Sequence, residues 1–266
     1  NVRFAHLIGV ELHESICEKR ALFGEWLFSY LLFKENPKRA EYPQIFKPVF
    51  EHAAQESGRP IGYFEEMATR IAPQFLTWAL RSIDWGQYKL VGFTSTFDQN
   101  VASLTMARLI KDLYPEVTIV FGGANFDGEM GLEHFRAFPF IDHIVVGEGE
   151  DSFLPLVRQI LAGKKSNYPN GVTYREGDKI MLTPNASLFS DFTKTGPPDY
   201  DDYYQLLSEL GQTAQGLDRI LLYEGSRGCW WGEKHHCTFC GLNAQSMKFR
   251  AKKPAQVLAE IAELSQ

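Results

Sequence analysis

No apolar run in the 266 residues approaches the roughly 20 that a membrane-spanning helix needs. The first residues also lack the basic segment and sustained apolar core of a secretory signal. Positive charge is not in excess: 27 Lys and Arg stand against 33 Asp and Glu, a formal net charge of -6. That balance argues against nucleic acid as a main partner. The expectation is a cytoplasmic protein with neither a nucleic-acid nor a membrane partner. Cysteine is scarce, with four in all, and three of them crowd into the stretch 229–240. A disulfide framework would spread its cysteines, so this crowding points to a metal site in a reducing compartment. Cys17, alone between Ile16 and Glu18, reads as a packing cysteine. Internal repeats and low-complexity tracts are also absent.

Apolar mass is plentiful. Hydrophobic residues make up 44% and aromatics 14%, which supports a substantial core and opposes disorder. The length suits one large domain or two modest ones. The chain opens on Asn1 without a methionine and stops soon after the first helix of what reads as a new domain, so a fragment is expected.

Four parts follow along the chain. Residues 1–85 read as helical, with a strongly apolar stretch at 21–33 that ends before Asn36-Pro37, and a second at 61–82 that Pro73 kinks or divides. Residues 86–165 alternate strands (89–94, 117–121, 141–146) with helices (one carrying Val101, Leu104, Ala107, Leu109 and Ile110, another at 151–161), and the stretch between the second and third strands is left as an intervening segment. This alternation predicts an α/β fold with a doubly wound parallel sheet. Residues 166–215 hold a hairpin at 171–183 and an ordered linker at 197–204, and a final strand at 219–223 opens the last part, 216–266.

Sheets of this kind bind ligands beyond the carboxyl ends of their strands. Three strands end there in small or polar residues: Thr94-Ser95-Thr96, Gly122-Gly123-Ala124 with Asn125 following, and Gly147-Glu148-Gly149. Glycines admit a bulky ligand close to the backbone, and hydroxyls can bond to it. Gln99 opens the next helix and reaches the same region.

The cysteines read Gly228-Cys229-Trp230-Trp231-Gly232, then His235-His236-Cys237-Thr238-Phe239-Cys240-Gly241, a C-x7-C-x2-C spacing followed by a helix with Pro254 in its first turn and Val257, Leu258, Ile261 and Leu264 on its apolar face. Three readings fit that spacing. A structural zinc would take His235 or His236 as its fourth ligand. A redox pair at Cys237 and Cys240 would leave Cys229 unexplained. Three thiolates on a four-iron cluster would leave one iron open to a further ligand.

A glycine–cysteine loop, an aromatic just before the last cysteine, a glycine just after it, and a following helix resemble the first βα unit of the radical S-adenosylmethionine superfamily. The usual spacing there is C-x3-C-x2-C, four residues shorter in the first interval. The longer loop is similar to that of cobalamin-dependent members that modify ribosomally made peptides. The likeness extends to Gly24-Glu25-Trp26-Leu27-Phe28, the Gly122–Asn125 and Gly147–Glu150 turns, and Pro198-Asp199-Tyr200-Asp201-Asp202-Tyr203. It covers nearly the whole chain.

The resemblance implies a [4Fe-4S] cluster on Cys229, Cys237 and Cys240 whose open iron chelates S-adenosylmethionine, with Phe239 beside the adenine. It also implies cobalamin over the strand ends, near Thr94, Ser95, Thr96, Gln99, Gly122, Gly123, Ala124, Asn125, Gly147, Glu148 and Gly149. The Asp-x-His-x-x-Gly motif that supplies a cobalt ligand in other cobalamin proteins is absent; His143 directly follows Asp142 and reads as a strand residue. The implied activity is methyl transfer to an unactivated carbon of a peptide, with an external electron donor; ring formation or contraction is the runner-up. A further strand before residue 1 and most of a partial β/α barrel after Gln266 are implied too, and the chain alone is expected to be inactive. A zinc-stapled α/β binding module without catalysis is the alternative from another class.

Overall fold

Aromatic side chains at helical spacing shape the N-terminal part. In the computed structural model, which describes residues 2–17, 21–211, 221–240 and 247–265, seven helices precede the first strand. They are α1 (Val2–Ile8), α2 (Val10–Cys17), α3 (Phe23–Leu32), α4 (Tyr42–Ile45), α5 (Lys47–Ser57), α6 (Ile61–Glu66) and α7 (Ala72–Ser82). Phe23, Trp26, Phe50 and Phe64 are buried together. Phe23 and Phe50 lie 4.5 Å apart by ring centroid, and Trp26 meets Phe50 edge-on at 5.2 Å. Such pairs add about 0.5–1.5 kcal/mol beyond the area they bury. The division expected at Pro73 is present. The backbone widens into a π turn over Met67–Ile71, and Pro73 then sits in the first turn of α7, where its missing N–H costs little.

The α/β fold expected from the alternation is the one found. The elements run β1 (Leu90–Thr94), α8 (Asn100–Leu113), β2 (Thr118–Gly122), α9 (Gly128–Ala137), β3 (His143–Val145), α10 (Phe153–Leu161), β4 (Val172–Glu176) and β5 (Lys179–Leu182). The sheet order is β1-β2-β3-β4-β5. The first three strands are parallel, with Thr94 opposite Gly122 and Phe121 opposite Ile144. The hairpin predicted at 171–183 adds β4 and β5 antiparallel at the far edge. Alternate side chains cover both faces. Ile119, Phe121 and Ile144 pack with Leu104 and Ile110 of α8 and Phe135 of α9, while Val120, Val145 and Val172 pack with Leu156 of α10.

Three elements differ from the sequence reading. The intervening segment folds as α9. Gly128 and Gly131 are poor helix formers and hide its signal, but the Asp127 carboxylate accepts the Gly128 N–H at 2.9 Å and starts the helix. The linker at 197–204 runs into a helix, α11 (Asp201–Glu209), whose first turn carries Asp201 and Asp202, where acidic residues favour the helix dipole. The strand expected at 219–223 is not formed: residues 219–220 lie outside the described residues, and 221–225 carry no ladder. Pairing begins instead at β6 (Ser226–Arg227), antiparallel to β7 (Arg250–Ala251), before α12 (Pro254–Leu264).

The chain divides into two compact units, Arg3–Ala186 and Ser187–Gln266. In the second, α12 is inverted relative to the expected apolar face. Leu258 and Ile261 are 69% and 46% exposed, whereas Glu260 is buried. Its carboxylate accepts from Lys252 Nζ at 2.6 Å, Tyr223 Oη at 2.6 Å and Gln256 Nε2 at 2.8 Å. The Lys252 ammonium, then the Tyr223 hydroxyl, hold the Glu260 carboxyl down to about 2. A buried carboxylate is retained only with such partners.

Leu32 and Leu80 pack into the core of the sheet, Thr105 and Arg108 donate to the Phe28 and Leu32 carbonyls, and one carboxylate caps the junction. Glu25 on α3 accepts the N–H groups of Asn100 at 2.9 Å and Val101 at 2.5 Å, two of the unsatisfied donors at the start of α8. Burial pushes the Glu25 carboxyl up, against the pull of these two bonds. Replacing Glu25 with Ala is expected to cost about 1–2 kcal/mol in urea unfolding, the scale of a lost helix cap. Glu25→Gln, which keeps one acceptor, is expected to lose less.

Candidate functional site

The parallel register sets three strand-end turns side by side. Thr94 faces Gly122, and Gly122 lies against the Val145 carbonyl, next to the Gly147 turn. The three segments singled out from sequence therefore share one edge of the sheet. Their side chains divide into two groups. Ser95 is fully buried. Its backbone N–H donates to the Gly122 carbonyl at 2.9 Å, and its hydroxyl accepts from Asn125 Nδ2 at 3.0 Å. Asn125 Nδ2 also donates to the Phe97 carbonyl at 2.9 Å, and Asn125 N donates to the Ser95 carbonyl. Thr96 and Gln99 form a reciprocal cap, with the Thr96 N–H donating to Gln99 Oε1 at 3.1 Å. Ser95, Thr96, Gln99 and Asn125 thus build the loop. Thr94, Ala124 and Gly147 are the exposed members of the set, with Gly122, Gly123, Glu148 and Gly149 half-buried.

Two glycines in this edge have opposite reasons to be glycine. At Gly123 (φ +89°) a Cβ would lie 2.7 Å from the Ser95 carbonyl oxygen and 2.8 Å from its nitrogen. At Gly147 (φ +75°) a Cβ would meet nothing within 4 Å. Gly123 lets two turns of the protein touch each other; Gly147 keeps an open surface above the sheet, where a bulky ligand can reach the backbone.

Beside β1 lies a cavity of about 490 Å³ lined by Ile16, Cys17, Leu22, Gly24, Phe97 and Asp98, among others. It sits between the N-terminal helices and the β1–α8 loop. Gly24 fits there because the Asp98 side chain is only 3.4 Å from where its Cβ would be. Burial pushes the Asp98 carboxyl up, and burial, with Asp98 nearby, pushes the Cys17 thiol up. Cys17 is exposed rather than packed as expected, because it ends α2. His143 is a buried residue of β3, as read from sequence, with its ring edge-on to Tyr168 at 5.0 Å.

The cysteine loop is organised locally. The longer first interval is a hydrogen-bonded turn: Glu233 N donates to Cys229 O at 2.9 Å, and His235 N to Trp231 O at 2.8 Å. The Trp231 ring lies 5.1 Å from that of His235. Cys240 N closes a second turn onto Cys237 O at 3.0 Å. Gly232 N–H donates to Cys229 Sγ at 3.2 Å, and Cys229 N donates to the Met247 carbonyl at 3.1 Å. Gly228 (φ +76°) is pressed so tightly on the Lys248 carbonyl that no Cβ fits. Arg227 is paired with Glu224 at 2.8 Å, so its charge is already compensated. Phe239 is 89% exposed; Gly241 of the motif lies outside the described residues.

The three sulfurs do not converge. Among the described residues no three Cys, His, Asp or Glu side chains gather in a group able to hold a metal. None of the cysteines is in a disulfide, and all three of the motif are half-buried. Their fit to an iron–sulfur cluster is therefore one of donor chemistry: three soft thiols on one turn-rich loop, one of them already accepting an N–H bond. Ligand loops of this kind take final shape with the group they bind. The strand-end edge fits a bulky cofactor by geometry, through the open surface at Gly147. Among the described residues no helix is long and apolar enough to cross a membrane.

Comparison with known proteins gives the same direction. No family model matches the chain. It is 30% identical over 153 residues to the cobalamin-dependent radical SAM methyltransferase TokK of Streptomyces tokunonensis, across 54% of this chain and 20% of that protein. It is 24% identical over 182 residues to the anaerobic magnesium-protoporphyrin IX monomethyl ester cyclase of Synechocystis sp., across 67% and 34%. The chain thus spans a fifth to a third of the length of these relatives. In fold it is similar to the cobalamin-dependent S-adenosylmethionine radical enzyme OxsB, solved with aqua-cobalamin and S-adenosylmethionine bound, at a TM-score of 0.53 and 20% identity over 74% of this chain and 25% of that one.

Sequence reasoning missed Phe97 at the edge and the roles of Glu25 and Asn125 there. Glu25 was noted within a motif, but its partners are 75 residues away. Asn125 was taken as a neighbour, although it is the bridge between two turns. Phe97 carried no signal, since nothing local announces a left-handed phenylalanine. Gly123→Ala is expected to cost about 1–3 kcal/mol or more, from strain plus the clash with Ser95. Gly147→Ala, with strain alone, is expected to cost about 1 kcal/mol. Urea unfolding of the two variants tests the contrast.

Proposed function

We propose that the chain is the corrinoid-binding part and the opening catalytic segment of a cobalamin-dependent radical S-adenosylmethionine methyltransferase. The observation that carries this reading is the pairing, on one chain, of three aligned strand-end turns with a C-x7-C-x2-C loop that has no fourth cysteine. Similarity to TokK and to the fold of OxsB supports it.

Cys229, Cys237 and Cys240 are assigned as ligands of a four-iron cluster, and Thr94, Gly122, Ala124 and Gly147 as the edge that meets the corrinoid. A three-thiolate cluster, when bound, supplies an open iron for S-adenosylmethionine and an electron for its cleavage. This chain's own residues perform the holding. Gly228 and the Met247 carbonyl fix the first cysteine in the loop, and the Gly232 N–H orients its sulfur. Phe239, exposed before the last cysteine, is assigned to the adenine of S-adenosylmethionine. The substrate assigned is a ribosomally made peptide, the electron donor a separate protein, and the compartment the cytoplasm. Ring formation is the second reading, favoured by similarity to the cyclase.

Anaerobic reconstitution of the chain with iron and sulfide, followed by metal analysis and a visible spectrum, tests the assignment. About four irons per chain and a broad band near 400 nm, both lost in Cys237→Ala, are expected. One tightly held zinc on a colourless protein would replace this reading with a zinc-stapled binding module.

A further inference from the structure

Among the described residues, Leu22, Phe97 and Asn167 are the non-glycine positions with positive φ. Asparagine tolerates that region, whereas bulky side chains there mark strain. Leu22 and Phe97 line the same cavity. Phe97 carries two costs at once: its backbone is left-handed at φ 47°, and its ring is 89% exposed. Strained conformations persist only where the surroundings over-determine them, and they concentrate at ligand contacts.

The surroundings of Phe97 do over-determine it. Its carbonyl accepts the Asn125 amide at 2.9 Å. The Thr96–Gln99 cap closes across it at 3.1 Å. One residue pair further along, Glu25 holds the first two N–H groups of α8. Gly123 completes the frame, because a side chain there would drive the Ser95 backbone, and with it this loop, away. The fold therefore spends several interactions to hold an apolar ring out in water on the loop that follows β1, three residues after the exposed Thr94 and tied through its carbonyl to Asn125 beyond β2.

We propose that Phe97 is a contact residue for the bound corrinoid, with its ring packing on the flat apolar body of the macrocycle while Thr94 and the turn backbones meet the polar rim. This rests on the corrinoid reading above and adds a residue to it. The chemistry of the edge selects the ligand class. A ring, a hydroxyl and exposed peptide groups, with the Asp98 carboxyl next in the chain, suit a large planar system edged with amides better than a phosphate or a small acid.

The full chain and its Phe97→Gly, Phe97→Leu and Phe97→Trp variants are titrated with hydroxocobalamin, following the visible spectrum, and each is melted without ligand. Phe97→Gly is expected to melt higher than wild type, because glycine relieves the strain, yet to bind about tenfold or more weakly, the scale of one unburied aromatic ring. Phe97→Leu is expected to fall between, and Phe97→Trp to restore affinity. A gain in stability together with a loss of affinity is not the behaviour of a residue that only supports the fold. If wild type binds and Phe97→Gly binds equally well, the proposal is overturned while the corrinoid reading stands. If wild type takes up no hydroxocobalamin, the corrinoid reading fails and the proposal fails with it.

Discussion

The Glu25 carboxylate on the first two peptide N–H groups of α8 is the contact on which the strand-end edge depends. It is local on neither side: α3 and α8 meet across 75 residues of chain. A helix start carries four donors without intrahelical partners and a partial positive charge, so one carboxylate there satisfies both needs. Its effect is geometric as well as energetic. It sets Gly24 against Asp98, and so fixes where the β1–α8 loop can run. The aromatic cluster of Phe23, Trp26, Phe50 and Phe64 then keeps α3 itself from shifting. The loop bearing Thr94 to Gln99 is consequently held from both ends.

The two candidate sites follow opposite physical strategies. The strand-end edge is built in advance: Ser95, Asn125, Thr96 and Gln99 use their polar groups on one another, and the open surface is left to Thr94, Ala124, Phe97 and Gly147. The cysteine loop has hydrogen-bonded turns and two close glycine approaches, but its sulfurs stand apart. A rigid edge suits a large ligand that is bound through many weak contacts. A thiol loop that folds around its metal gains stability from the metal–sulfur bonds themselves.

Much of the architecture was legible because period and punctuation agree. Alternating apolar runs ending in Thr94-Ser95-Thr96, Gly122-Gly123-Ala124 and Gly147-Glu148-Gly149 marked both the strands and the edge they form. The hairpin was legible from Glu176-Gly177-Asp178. What could not be read depended on long-range partners or on weak local propensity. Gly128 and Gly131 masked α9, and Asp201-Asp202 looked like linker although they begin α11. Lys252, Gln256 and Tyr223 turned the polar side of α12 inward, against the usual sense of amphipathicity, because Glu260 finds all three as partners there. Sequence pointed to hydroxyls at the site, and the structure divides them: Ser95 is consumed internally and Thr94 is presented.

The central claim is that one chain holds both a corrinoid and a four-iron cluster. Native mass spectrometry of the full chain, loaded anaerobically with hydroxocobalamin, iron and sulfide, tests it most directly. The account predicts a dominant species heavier than the bare chain by one corrinoid and one four-iron, four-sulfide unit. A dominant species carrying a single zinc ion and no corrinoid would contradict it.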